Sequence, residues 1–176
     1  MKLVKGFPQP SFHMGVLTLL SQVPDLIVVE FGTEGTMRYF LNTLQMMGCP
    51  ARARMFTTMM DESTVVLGSY ERLRLTLKEL DEEYHPPLIV AVDSAVASII
   101  GVDVEGACLQ FQDEVNATLL PLQDSHLTKT YGEGVAFAQV RLLEVQQTDP
   151  RVIEEAAGRV RQLLPFFMTG QYQAQI

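Results

Sequence analysis

The sequence predicts an α/β fold: a three-layer sandwich in which helices cover both faces of a mostly parallel, Rossmann-like sheet of about four to five strands. The apolar run at residues 88–92 (LIVAV) has no polar alternation, which is typical of a parallel strand buried on both faces. Amphipathic helical patterns separate such runs and supply the long crossovers that parallel strands need. A length of 176 residues without linker composition predicts one domain over residues 1–176.

A central βαβ unit is the first element of this prediction. Residues 65–67 form a short apolar run that we interpret as a strand, and Ser69 follows it as a candidate helix N-cap. Pro86 ends the expected helix before the strand at residues 88–92. The buried face of that helix is predicted from apolar residues at helical spacing: Leu73, Leu77, Leu80 and Tyr84. The small-residue turn after residue 92 lies at the carboxyl end of a strand, where open α/β sheets bind ligands.

The segment before this unit predicts a helix, a strand and a second helix. The first helix is expected to be capped by Ser11 and stopped by Pro24. The strand at residues 26–30 follows, and a glycine-bearing loop at residues 32–36 joins it to the second helix. Glycine and proline at residues 48–50 are typical of a helix end.

The segment after the central unit predicts a helix at residues 105–114 and a strand at residues 117–122. A polar loop leads to a helix at residues 133–145. A last amphipathic helix is expected from about Asp149 to Pro165, so two helices occupy residues 133–165.

Composition excludes several classes of function. The net charge of −8 argues against nucleic acid as a partner, because no basic stripe exists to contact phosphates. No apolar run approaches the roughly 20 residues of a membrane-spanning helix, and no signal peptide is recognisable, so we expect a cytoplasmic protein. The two cysteines, Cys49 and Cys108, do not have the spacing of a metal site, and we interpret both as packing residues.

Several short motifs resemble a known family. These are Phe56-Thr57-Thr58-Met59, Asp61-Glu62, Val66-Leu67-Gly68, Arg72-Leu73 and Ile100-Gly101-Val102-Asp103. Together with the segments at residues 26–36 and 118–122, they resemble the first domain of nitrogenase component 1 subunits. That family includes the molybdenum-iron protein chains, their cofactor-scaffold relatives and the dark-operative protochlorophyllide reductase chains. The resemblance covers residues 15–143.

The resemblance implies an oxidoreductase whose first domain holds an iron-sulfur cluster through three cysteines. The matching positions here are Ser11, Thr36 and Ala95, none of which is a thiol. Because such clusters need soft thiolate ligands, we expect no cluster and no other cofactor, metal site or catalytic residue on this chain. The resemblance then implies a partial or degenerate oxidoreductase-family protein that acts with partner chains. Whether the chain is itself an enzyme stays open.

An alternative interpretation is a cluster-free α/β scaffold or a small-ligand-binding module. Its candidate pocket lies at the carboxyl edge of the sheet and comprises Gly32, Thr33, Gly35, Asp93 and Ser94. The same residue types also cap helices and stabilise loops, which is the competing explanation for them. For either function we expect a homo-oligomer or pairing with another nitrogenase-like chain, with Phe12, the methionines and the final helix as candidate contacts.

Overall fold

The computed structural model describes residues 10–123 and 129–169. Four parallel strands form one sheet in the order β2-β1-β3-β4, which confirms the α/β prediction. The strands are β1 (Ile27–Phe31), β2 (Arg54–Thr57), β3 (Leu88–Asp93) and β4 (Thr118–Leu122). β1 and β3 are buried along their whole length, including Glu30 and Asp93 near their carboxyl ends, and the apolar runs that precede these two acids predict buried strands.

Helices cover both faces of this sheet. They are α1 (Phe12–Ser21), α2 (Glu34–Met46), α3 (Glu62–Leu67), α4 (Glu71–Tyr84), α5 (Ala95–Ile99), α6 (Val104–Phe111), α7 (Tyr131–Val145) and α8 (Pro150–Thr169), with a 3₁₀ turn at Gln112–Glu114. Because neighbouring side chains of a strand point to opposite faces, Val28 and Val29 enter two separate apolar cores. One core contains residues of α1, α2, α7 and α8, and the other contains residues of α4 and α6.

The predicted strand at residues 65–67 is wrong, because these residues belong to α3. Asp61 caps this helix and accepts a hydrogen bond from the backbone N–H of Thr64 at 2.9 Å. The strand that precedes α4 is β2, an edge strand that is only partly buried and therefore has no continuous apolar run. β2 pairs with β1 and not with β3, so the central unit skips one strand position.

Several predicted helix boundaries are confirmed and two are corrected. Ser11 caps α1, and Gly48 follows α2 with a φ of 70°, as the glycine signal indicates. The short helix α5 was not predicted, because its sequence was interpreted as a turn. α8 continues past Pro165 to Thr169, so the expected end of this helix at the proline is wrong.

Two of the predicted partner contacts lie inside the molecule. Phe12 is buried, and its ring packs against Phe137 at a centroid distance of 5.5 Å. The apolar face of α8 belongs to the same core through Ile153 and Val160. These contacts stabilise the single chain, so Phe12 and this face of α8 are wrong as contact candidates. Within the described residues, no helix has the length and apolar content needed to cross a membrane.

Candidate functional site at the carboxyl edge of the sheet

A fully buried carboxylate, that of Glu30, lies near the carboxyl end of β1. Its Oε1 is 2.9 Å from Nε2 of His13, and its Oε2 accepts a hydrogen bond of 2.9 Å from the hydroxyl of Thr36. In the first pair, the imidazole donates to Oε1 when Nε2 carries the ring proton. Glu30 therefore connects α1, β1 and α2 through its two oxygens.

The two partners of Glu30 lie in the first turns of their helices. α1 begins after Ser11, whose hydroxyl accepts a hydrogen bond from the backbone N–H of Met14, and His13 follows on its first turn. Thr36 lies in the first turn of α2, and its hydroxyl is also 2.8 Å from the carbonyl oxygen of Thr33. One hydroxyl proton is thus shared between a carboxylate and a carbonyl. The two hydrogen-bonding side chains of the carboxylate thus come from the first turns of two helices.

The loop after β1 passes very close to the loop after β3. A β-carbon added at Gly32 would lie 2.7 Å from Cβ of Ser94 and 3.0 Å from Cδ of Glu30. Ser94 is fully buried, caps α5 by accepting from the N–H of Ala97 at 3.1 Å, and donates its own N–H to the carbonyl of Phe31. Glycine at position 32 is what allows this close approach.

The three positions implied as cluster ligands lie at helix N-termini around Glu30. Ser11 is exposed and precedes His13 by two residues, Thr36 hydrogen-bonds to Glu30, and Ala95 is exposed and directly follows Ser94. Their three segments therefore converge on one carboxylate. Sequence reasoning missed both Glu30 and His13, although a charged residue at the end of an apolar strand was a usable signal.

The predicted pocket residues separate into two groups. Gly32 and Ser94 converge with Glu30, and Thr33 and Gly35 lie beside them at the N-terminus of α2. Asp93 does not join them. It is in register with Phe31, one residue beyond Glu30, so it faces the opposite side of the sheet, where its carboxylate binds the hydroxyl of Ser98.

The donor atoms at this site do not fit a cluster held by three thiolates. They are a carboxylate, an imidazole and a hydroxyl, and the carboxylate is already hydrogen-bonded. Burial and, to a smaller extent, the negative charge of Glu105 together raise the pKa of the Cys108 thiol to about 12, so this cysteine is an inert core residue on α6. Cys49 lies past α2 and donates to Oε1 of Gln22 at 3.2 Å. In residues 10–123 and 129–169, no cluster of three His, Cys, Asp or Glu side chains could hold a metal ion.

A separate open cavity of about 350 Å³ lies beside α5 and α6. It is lined by Ser98, Gly101, Val102, Asp103, Glu105 and Gln123. The side chain of Gln123 closes one wall, because its amide oxygen accepts from the N–H of Glu105 at 3.1 Å and its amide nitrogen donates to the carbonyl of Val102. Asp103 caps α6 with a hydrogen bond of 2.8 Å from the N–H of Gly106. The lining thus includes two carboxylates, those of Asp103 and Glu105, and the amide of Gln123.

Comparison with known proteins identifies relatives over most of the chain. A family model described as nitrogenase component 1 type oxidoreductase matches residues 11–161. The nitrogenase iron-molybdenum cofactor biosynthesis protein NifE of Methanosarcina barkeri is 25% identical over 169 residues, which are 90% of this chain and 36% of that protein. NifE of Mesorhizobium japonicum is 29% identical over 90 residues, or 51% of this chain and 18% of that protein.

Solved structures with the same fold are also nitrogenase chains. A structure titled "Nitrogenase Cp1 at pH 5" superposes with a TM-score of 0.65 and 17% identity, covering 81% of this chain and 31% of that chain. At this identity the likeness concerns the fold alone. The chain spans about a third of the length of the Methanosarcina protein.

Proposed function

This chain belongs to the family of nitrogenase component 1 type oxidoreductases, and we propose that it is a degenerate member that binds no iron-sulfur cluster of its own and acts with partner chains. The observation that carries the proposal is the site around Glu30. Ser11, Thr36 and Ala95 stand at the implied ligand positions, and the space between their segments holds a hydrogen-bonded carboxylate. Oxygen and imidazole donors do not replace three thiolates. Any redox cluster in the functional assembly then belongs to a partner chain.

The names of the relatives favour a scaffold role over catalysis. Relatives from Methanosarcina barkeri and Mesorhizobium japonicum are described as proteins of iron-molybdenum cofactor biosynthesis. We extend that role to this chain as a subunit of a cofactor-assembly complex.

Exposed apolar side chains beyond the carboxyl ends of β2 and β3 are the proposed partner surface, here called the apolar rim. The rim consists of Met59, Val65, Val66, Ile99 and Ile100, of which Val66 is 80% exposed and Ile99 is 71% exposed. The segments that follow α3 and α5 are in contact, because the N–H of Asp103 donates a hydrogen bond of 3.0 Å to the hydroxyl of Tyr70. Apolar side chains collected in this way are typical of a protein–protein contact.

Metal analysis after anaerobic purification tests the proposal. We expect the chain expressed alone to contain no stoichiometric iron or sulfide, and a co-purified complex with a family chain encoded beside it to contain both. Stoichiometric iron on the isolated chain would refute the ligand argument. If no family chain encoded beside this one co-purifies with an iron-sulfur cluster, the proposal that this chain acts in a redox complex is refuted.

A second candidate function, binding of a small polar ligand without any cluster, is favoured by the cavity beside α5 and α6. Its volume of about 350 Å³ suits a small metabolite, and backbone groups and Gln123 line it. Native mass spectrometry of the purified chain separates the two functions. A stoichiometric bound molecule that is lost in a Gln123→Leu variant would support this second function, whereas an empty chain would leave the scaffold role as the better one.

A further inference from the structure

Burial of the Glu30 carboxylate costs folding free energy, and the groups around it determine whether this cost is compensated. A carboxylate removed from water needs hydrogen bonds and positive charge to compensate for its lost hydration. Here His13 and Thr36 each supply one donor at 2.9 Å. Among the described residues, His13 is the titratable group in contact with it, and its side chain is 20% exposed.

Without the side chain of Glu30, the groups that surround it would form a binding site for an anion. The two side chains that contact the carboxylate, His13 and Thr36, belong to the first turns of α1 and α2, and helix N-termini carry partial positive charge. A donor side chain projects from each of these turns. The loop after β1 passes close by on another side, because a β-carbon added at Gly32 would lie 3.0 Å from Cδ of Glu30. An anion of about four heavy atoms, the number that a Glu30→Ala substitution removes, would meet these groups if the side chain of Glu30 were absent.

We propose that Glu30 is an internal anion which fills an anion-binding pocket built by the side chains of His13 and Thr36, one from the first turn of α1 and one from the first turn of α2. The ligand class of the emptied pocket is a small carboxylate. This inference rests on the proposed function only in that no cluster occupies the space. It explains why three segments without thiols still converge: the chain's own carboxylate connects two of them and packs beside the third.

Rescue by acetate tests this pocket in the Glu30→Ala variant, because acetate has the atoms that this substitution removes. The melting temperature of Glu30→Ala should fall by about 5 °C or more below that of Glu34→Ala, the matched control with an exposed carboxylate on the same helix N-terminus. Sodium acetate, compared with sodium chloride of equal ionic strength, should raise the melting temperature of Glu30→Ala by about 2–4 °C and leave Glu34→Ala unchanged. The double variant His13→Asn/Glu30→Ala should lose this response.

Each outcome decides the inference independently of iron or partner chains. Equal stability of the Glu30→Ala and Glu34→Ala variants, or an equal effect of acetate on all three variants, would overturn it. If Glu30→Ala does not fold, Glu30→Gln and His13→Asn take its place. Non-additive losses of stability in their double variant would support the shared pocket, and additive losses would refute it.

Discussion

The carboxylate of Asp81 is nearly fully buried on α4, yet it accepts three hydrogen bonds. Oδ2 accepts from the backbone N–H and the side-chain amide of Asn116 at 2.9 and 3.0 Å, and Oδ1 accepts from the N–H of Ala117 at 2.8 Å. Burial alone would raise the pKa of Asp81, but these hydrogen bonds and the charge of His85 together lower it below 3.8. Asp81 thus attaches α4 to the segment that enters β4.

The Asp81→Asn variant should lose about 2 kcal/mol in free energy of unfolding, because its amide would direct N–H groups toward N–H donors. Since the folded-state pKa of Asp81 is lowered, its stabilisation is complete above pH 3.8 and is lost as the pH falls through the folded-state value. Denaturant unfolding of the wild type and the variant at pH 7 and near pH 3 measures both effects, and the difference between them should shrink at low pH. The exposed Glu82→Gln is the control, expected within about 0.5 kcal/mol of the wild type.

At the scale of elements, the closest packing of two helices is the crossing of α1 and α7. A β-carbon added at Gly15 would overlap the carbonyl oxygen of Tyr131, and one added at Gly134 would overlap that of Phe12. Both obstacles are backbone atoms, which cannot move without displacing a helix. A glycine on each helix is therefore required, and α1 is held with its first turn beside Glu30.

Gly15→Ala should destabilise the protein by more than about 2 kcal/mol, because the helices must separate to admit the methyl group. Gly158 on α8 is the matched control: it is also inside a helix, but no atom lies within 4 Å of an added β-carbon. Gly158→Ala should raise the stability by about 0.5–1 kcal/mol through its better helix propensity. Thermal unfolding measures whether the two variants change stability in opposite directions. Equal losses of stability in both variants would contradict the close crossing of α1 and α7.

For the whole molecule, the apolar rim predicts that the chain self-associates. An exposed apolar surface gains free energy when a second copy covers it, and symmetric dimers are the commonest result. Val66→Asp should shift the equilibrium to monomer, because the contact would have to bury a charge. Light scattering after size-exclusion chromatography measures the mass of both forms.

Leu75→Asp supplies the control for this experiment, since Leu75 is 50% exposed on α4 and lies outside the rim. This substitution should leave the mass unchanged. A monomeric wild-type chain at tens of micromolar would contradict self-association, and the rim would then be free for a different family chain.

Strong local patterns by themselves determined the fold class, the buried strands β1 and β3, and the caps at Ser11 and Gly48. Such signals depend on neighbouring residues only, so they are readable without coordinates. The identity of the residues at positions 11, 36 and 95 is likewise a property of the chain alone.

Only the tertiary structure decided that β2 lies at the sheet edge, that residues 65–67 are helical, and that β1 separates β2 from β3. An edge strand buries too little to require an apolar run, and strand order depends on pairing between distant segments. The site around Glu30 also depends on contacts between distant segments. His13, Glu30 and Thr36 are separated by up to 23 residues in sequence, and the parallel sheet brings them together because β1 ends where α1 and α2 begin.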